Sequence, residues 1–164
     1  MSQLELSQNS ILLGEHEYAS ALDIVIGKAE QQLLIFDQDF STGDFASVKR
    51  FDLIHTFLNK SVMSKLIIIL QHTDFFTSQC PRLYHLLATF GHKLTIYETN
   101  DYAKIAKDCF VLADDHAYIR RFHIDQSRFT YALDDEETTA SLKSRFDELL
   151  QETSQTLSTT KLGL

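Results

Sequence analysis

The sequence has no tryptophan, one proline, five glycines and two cysteines, and each shortage removes a class of protein. With so little proline and glycine it holds no linker, low-complexity tract or collagen-like block. Two cysteines, Cys80 and Cys109, are too few for a disulfide framework and lack metal-ligand spacing. They suit a reducing compartment, each as a small buried hydrophobe. The longest apolar run, Leu66 to Leu70, is strand-sized and far short of a membrane span. Met1-Ser2-Gln3-Leu4-Glu5 has no basic segment leading into an apolar core, as a signal peptide would. A cytoplasmic chain is expected. Positive charge is also short: 15 Lys and Arg against 23 Asp and Glu leave a net charge of −8. Polyanions and acidic membrane surfaces are bound by replacing condensed cations with Lys and Arg. Nucleic acid is therefore disfavoured as a partner, and no membrane association is expected. There is no Gly-rich phosphate loop, Gly-x-Ser-x-Gly elbow or Cys-x-x-Cys. That argues against a common nucleotide-dependent enzyme and implies no cofactor.

What is present is an ordinary apolar share of 44% in 164 residues, enough for one domain with a sizeable core. The patterning assigns that domain to residues 1–153 and leaves 154–164, rich in Ser and Thr, as a frayed tail. Ile11-Leu12-Leu13 reads as an opening strand or extended lead-in, broken by Gly14. Tyr18, Leu22, Val25 and Ala29, widened by Ala21 and Ile26, predict a helix over Glu15 to Gln31. Glu15 and Glu17 suit the positive end of its dipole. A buried strand, Gln32 to Phe36, ends in Asp37-Gln38-Asp39. The helix predicted from Phe45 to Lys60 buries Val48, Phe51, Ile54, Phe57 and Leu58. Leu66 to Leu70 is the strongest strand and is expected to be covered on both faces.

Pro81 fits the first turn of a helix lined by Leu83, Leu86, Leu87 and Phe90, with Gly91 as its cap. A strand over Lys93 to Glu98 and a short turn or helical segment over Asn100 to Ala106 follow. Two apolar strands, Cys109 to Ala113 and Ala117 to Phe122, flank the turn Asp114-Asp115-His116. After a strand-like run from Arg128 to Leu133, Asp134-Asp135-Glu136-Glu137 opens a last helix with Leu142, Phe146, Leu149 and Leu150 on its core face. The order of elements predicts an α/β fold, a mixed, mostly parallel sheet flanked by helices.

The segment from Lys107 to His123 resembles one half of the phospholipase D superfamily. There a strand bearing His-x-Lys-x-x-x-x-Asp leads through a turn to a strand ending in Gly-Ser-x-Asn. Aligned without gaps, Lys107 takes the place of the nucleophilic His, Cys109 that of the Lys and Asp114 that of the Asp. Arg120-Arg121 stand where Gly-Ser would be and His123 where the Asn would be. The resemblance implies a phospholipase-D-like half similar to uncharacterised bacterial domains, with a homodimer needed to bring two halves together. In that family a neutral imidazole attacks phosphorus while the Lys holds the phosphoryl oxygens. Lys107 is normally protonated and Cys109 carries no positive charge, so the resemblance implies a pseudoenzyme.

Two groups of residues are candidates for chemistry. Lys107, Cys109, Asp114, Arg120 and His123 could form an anion or ligand site, since guanidinium pairs well with phosphate or carboxylate oxygens. Neighbouring strand residues face opposite ways, so only one of Arg120 and Arg121 can share a face with Lys107; ion pairing with Asp and Glu is the alternative for both. Asp37, Asp39, His72 and Asp74, at strand ends, could gather as a metal or acid–base cluster or serve as ordinary polar loop residues, and no ligand spacing marks them as a metal site. Cys80, at a helix start with no His or acid at a defined spacing, reads as structural. Two functions follow as expectations. One is a non-catalytic binding or regulatory module for a small anion or a protein partner. The other is a phosphodiesterase or nuclease with a rearranged dimeric site using His72 or His123.

Overall fold

Unbroken runs of Leu and Ile favour strands covered on both faces, and the two strongest runs form the middle of the sheet. β2 (Gln32–Asp37) and β3 (Lys65–Leu70) lie parallel, from Gln32 opposite Lys65 to Asp37 opposite Leu70. The structure, a computed structural model, describes residues 6–157. Around the central pair the chain forms β1 (Leu12–Leu13), α1 (Glu15–Lys28), α2 (Val48–Leu58), α3 (Asp74–Gln79), α4 (Pro81–Thr89) and β4 (Leu94–Thr99). A 3-10 turn (Asp101–Ile105) then leads into β5 (Cys109–Ala113), β6 (Ala117–His123), β7 (Gln126–Ala132), α5 (Glu136–Gln151) and β8 (Thr153–Thr156). The strands make one sheet in the order β1-β7-β6-β5-β2-β3-β4-β8.

The α/β class is as expected, but the sheet is not mostly parallel. Only β2–β3 and β3–β4 run parallel, and the other pairings are antiparallel. Parallel pairing needs a crossover, and helices cross over only between those strands. From β5 onward the chain turns back in hairpins, and β5 docks antiparallel on the free edge of β2, Phe36 opposite Phe110.

Alternation divides the sheet between two cores. Leu33, Ile35, Leu66, Ile68, Val111 and Ala113 pack with Tyr18, Leu22 and Val25 of α1 and with α2 and α4. Leu34, Phe36, Ile69, Phe110 and Leu112 face the other way, onto Leu142, Phe146 and Leu149 of α5. α5 starts where the acidic run predicts: Asp135 is its N-cap and accepts from the Thr138 amide at 2.9 Å.

Several boundaries differ from the sequence pattern for identifiable reasons. α1 stops at Lys28 rather than Gln31 because Ala29 is extended and the next three amides turn to a distant carboxylate, described below. α2 starts at Val48, where Ser47 accepts from the Arg50 amide at 3.1 Å. Val48 is exposed, and Arg50 is buried in its stead, bonded to Asp23 at 3.0 Å and lying over Phe45. Gly91 is not in the left-handed region; Phe90 ends α4 at φ −119°. The segment expected to fray from 154 instead begins as an edge strand, with Thr156 opposite Tyr97, because β4 otherwise leaves a free edge. Residues 158–164 lie outside those described.

Candidate functional site

The β5–β6 hairpin sets two charged clusters back to back. In its register Cys109 lies opposite Arg121 and Phe110 opposite Arg120. Directly paired residues share a face, so Cys109 and Arg121 turn toward α1, whereas Phe110 and Arg120 turn toward α5. Arg120 is thus not a partner of Cys109; Arg121 takes the place that the sequence pattern offered to either. The five residues of the first candidate group are dispersed accordingly. Lys107 is exposed, and its carbonyl accepts from the Ile124 amide at 2.7 Å. Cys109 is buried. His123, at the end of β6, accepts at Nδ1 from the Asp125 amide at 3.1 Å.

Asp114 lies at the far end of β5, away from Lys107. At φ 57° it adopts the left-handed conformation that Asp tolerates better than most residues. Its carboxylate accepts from the amides of Glu30, Gln31 and Gln32 at 3.0, 2.9 and 3.0 Å, tying the hairpin turn to the α1–β2 connection. It holds architecture and does not meet the other candidates.

The second candidate group does not assemble either. Asp39 accepts from the Ser41 amide and hydroxyl at 2.9 and 2.6 Å, His72 is exposed, and Asp74 sits exposed in the first turn of α3. Among the described residues no set of three or more His, Cys, Asp or Glu is placed to hold a metal ion. Asp37 instead points inward and joins Cys109. It is buried, accepts from the Phe40 amide at 2.6 Å and lies beside the Cys109 thiol. Phe40 is held at φ 71°, stacked on Phe45 at 4.0 Å between centroids. A bulky residue in that region is strained, and the Asp37 carboxylate is what fixes it.

On the α1 face the cluster therefore comprises Asp37, Cys109, Tyr18, Arg121 and Glu15. Arg121 is 1% exposed and forms a bidentate pair with Glu15, Nη1 to Oε1 at 2.7 Å and Nη2 to Oε2 at 2.8 Å. Its guanidinium also lies 5.1 Å from the Tyr18 ring centroid. The hydrogen bond from Arg121 holds Glu15 below the usual carboxylate range. Burial, with no bonded cation to offset it, pushes Asp37 up to about 6. Burial and the neighbouring Asp37 push the Cys109 thiol well up, so it stays protonated. Such a thiol is a poor nucleophile. Cys80, on the helical side, is likewise pushed up by burial, to about 11, in keeping with a structural role.

On the α5 face Asp108 is buried between two arginines. Arg120 Nε donates to it at 3.0 Å and Arg145 from α5 grips both its oxygens. Burial alone would raise Asp108, but the two guanidinium pairs outweigh it and hold the carboxyl low. Two buried amides brace the chain just before β5. Gln38 donates to the carbonyls of Ala106 and Asp108, each at 3.1 Å, and Gln71 to those of Ala103 and Ala106 at 3.3 and 2.7 Å. Sequence reasoning placed Glu15 at a helix dipole and Tyr18 in a core stripe. Nothing local marks either as a partner of an arginine 106 residues away. The signal that was legible is an Arg pair inside an otherwise apolar strand.

The element order, the docked hairpin and the helical layers define a phospholipase-D-like α/β fold. By sequence the chain belongs to the family described as a domain of unknown function (DUF7931), which matches residues 14–161. No curated protein matches it. Among solved structures it is similar to Nuc from Salmonella typhimurium, a phospholipase D family member, at 8% identity and a TM-score of 0.67, covering 92% of this chain and 99% of that one. It is also similar to TrmBL2, an archaeal chromatin protein described as showing a novel mode of DNA binding, at 15% identity and a TM-score of 0.65. That match covers 93% of this chain but only 55% of TrmBL2, so the chain spans about half its length. At these identities the likeness shows the fold. Among the described residues no helix is long and apolar enough to cross a membrane.

Proposed function

We propose that this chain is a non-catalytic phospholipase-D-like domain that works as a binding or regulatory module and pairs with a second copy. The observation that carries the reading is the content of the slot on the α1 face. Where phospholipase D enzymes place an imidazole and a lysine, this chain has an exposed Lys107 and a buried thiol beside Asp37. Arg121 lies directly across the hairpin from Cys109, and Glu15 covers it. The slot keeps groups suited to holding an anion and lacks a competent nucleophile. Pairing is supported by Leu13 on the edge strand and Ile11 just before it, 68% and 65% exposed, an apolar surface that a second copy would bury.

A generic phosphodiester such as a nitrophenyl ester, assayed from pH 5 to 8 where His titrates, should show no turnover above a buffer blank. The competing reading, a phosphodiesterase or nuclease with a rearranged dimeric site, rests on His72 and His123 standing at strand ends. It predicts metal-independent cleavage that disappears in His72→Ala or His123→Ala. Light scattering should return twice the mass of the chain, and a monomer at high concentration would remove the pairing. The DNA-binding description of TrmBL2 makes duplex DNA a partner to test. The net charge of −8 predicts no salt-sensitive complex at physiological ionic strength.

A further inference from the structure

Arg121 is positioned by the main chain independently of its carboxylate partner. Its Nε donates to the His123 carbonyl at 3.3 Å and Nη2 to the Ile124 carbonyl at 2.8 Å, while the Tyr18 ring packs against it. Those contacts aim the remaining edge of the fork at a pair of oxygens, and here the oxygens are those of Glu15. The two partners differ sharply in exposure: the Arg121 side chain is 1% exposed and that of Glu15 59%. A carboxylate so open to water can leave by rotating its own side chain, whereas the buried guanidinium is held in place. Ile124, whose carbonyl helps to hold Arg121, donates its amide to the Lys107 carbonyl, which brings an exposed cation to the same turn. His123 belongs to that turn too, with Asp125 beside it at 3.9 Å.

We propose that Arg121 is the floor of an oxyanion site which Glu15 keeps closed as a tethered stand-in, and that its ligand is a small phosphate monoester dianion. A phosphoryl group offers the guanidinium two oxygens in the same forked geometry as a carboxylate. Its second negative charge suits a site whose turn also carries the exposed Lys107. The inference rests on the binding-module reading above and adds to it a ligand class and an autoinhibitory contact.

The test is a titration with inorganic phosphate at constant ionic strength, chloride replacing phosphate, read by calorimetry and by the Arg121 Nε–Hε resonance. Glu15→Gln should bind phosphate at least about tenfold more tightly than the unaltered protein, with the Arg121 signal shifting on binding. In the Glu15→Gln background Arg121→Lys should abolish that gain. If the buried substitution prevents folding, Lys107→Glu in the same background makes the same test at an exposed position, and should reduce affinity at least about threefold. Equal affinities for Glu15→Gln and the unaltered protein would overturn the proposal. So would a gain that survives both Arg121→Lys and Lys107→Glu. Failure here leaves the binding-module reading standing on its own turnover and light-scattering measurements.

Discussion

The two faces of the β5–β6 hairpin carry the same ingredients, buried carboxylate and guanidinium, in opposite arrangements. On the α5 face the carboxylate of Asp108 is buried and two partly exposed arginines converge on it. On the α1 face the guanidinium of Arg121 is buried and an exposed Glu15 covers it, while a second carboxylate, Asp37, lies beneath, bonded to the Phe40 amide. The first arrangement satisfies its buried charge, and Asp108 stays ionised despite its desolvation. The second leaves Asp37 insufficiently compensated, so its ionised form is disfavoured near neutral pH. Satisfied charge reads as scaffold. Charge left in tension beside an open partner is where we propose a site.

The comparison breaks most sharply if Asp108 is removed. Asp108→Ala leaves Arg120 and Arg145 facing each other without their carboxylate, and it should destabilise the fold by about 3 kcal/mol in urea denaturation. A loss below about 1 kcal/mol would mean the α5 cluster is not scaffold.

The two faces should also respond to pH with opposite sign. Asp37 is raised from 3.8 to about 6, so it contributes stability that is present below its unfolded value and lost as pH rises through 6. A shift of about 2 units corresponds to about 3 kcal/mol between the two limits. Asp108 is depressed, so its contribution is present above its unfolded value and lost as pH falls further. Stability should therefore rise as pH drops from about 6 to about 4 and fall again below about 4. In Asp37→Asn the rise between about 6 and about 4 should flatten while the acid limb persists. A profile unchanged by Asp37→Asn would show that Asp37 is not the group responsible.

Asp114→Ala removes the acceptor for three backbone amides and should cost about 2 kcal/mol without altering the phosphate response of Glu15→Gln, since it acts at the other end of β5. The smallest effects belong to the exposed loop residues: His72→Ala should change stability by less than about 0.5 kcal/mol and leave thermal melts superimposable. A larger shift would mean that this end of the sheet holds more structure than its exposure indicates.

Much of this fold is legible from local pattern, because helix and strand periodicities reflect which face of each element meets the core. Leu66 to Leu70 reads as a doubly covered strand and is one, and the stripe of Tyr18, Leu22 and Val25 is the core face of α1. Errors cluster where a distant side chain decides a local question. α1 ends early because the following amides bond to Asp114, more than eighty residues away. Val48 is exposed and Arg50 buried because Asp23 of α1 is there to pair with it. The candidate site fared less well for the same reason. The alternation rule states that only one of Arg120 and Arg121 can join Cys109, but choosing between them requires the register of the hairpin.

The sequence by itself determined the element order, the α/β class and the two-faced character of the central strands, since these depend on spacing along the chain. Strand direction, the pairing of Arg121 with Glu15 and the turning of Asp37 toward Cys109 were decided only by the tertiary structure. Each depends on which residues the folded sheet brings within hydrogen-bond distance. A charge buried without enough compensation exists only once the chain around it has excluded water.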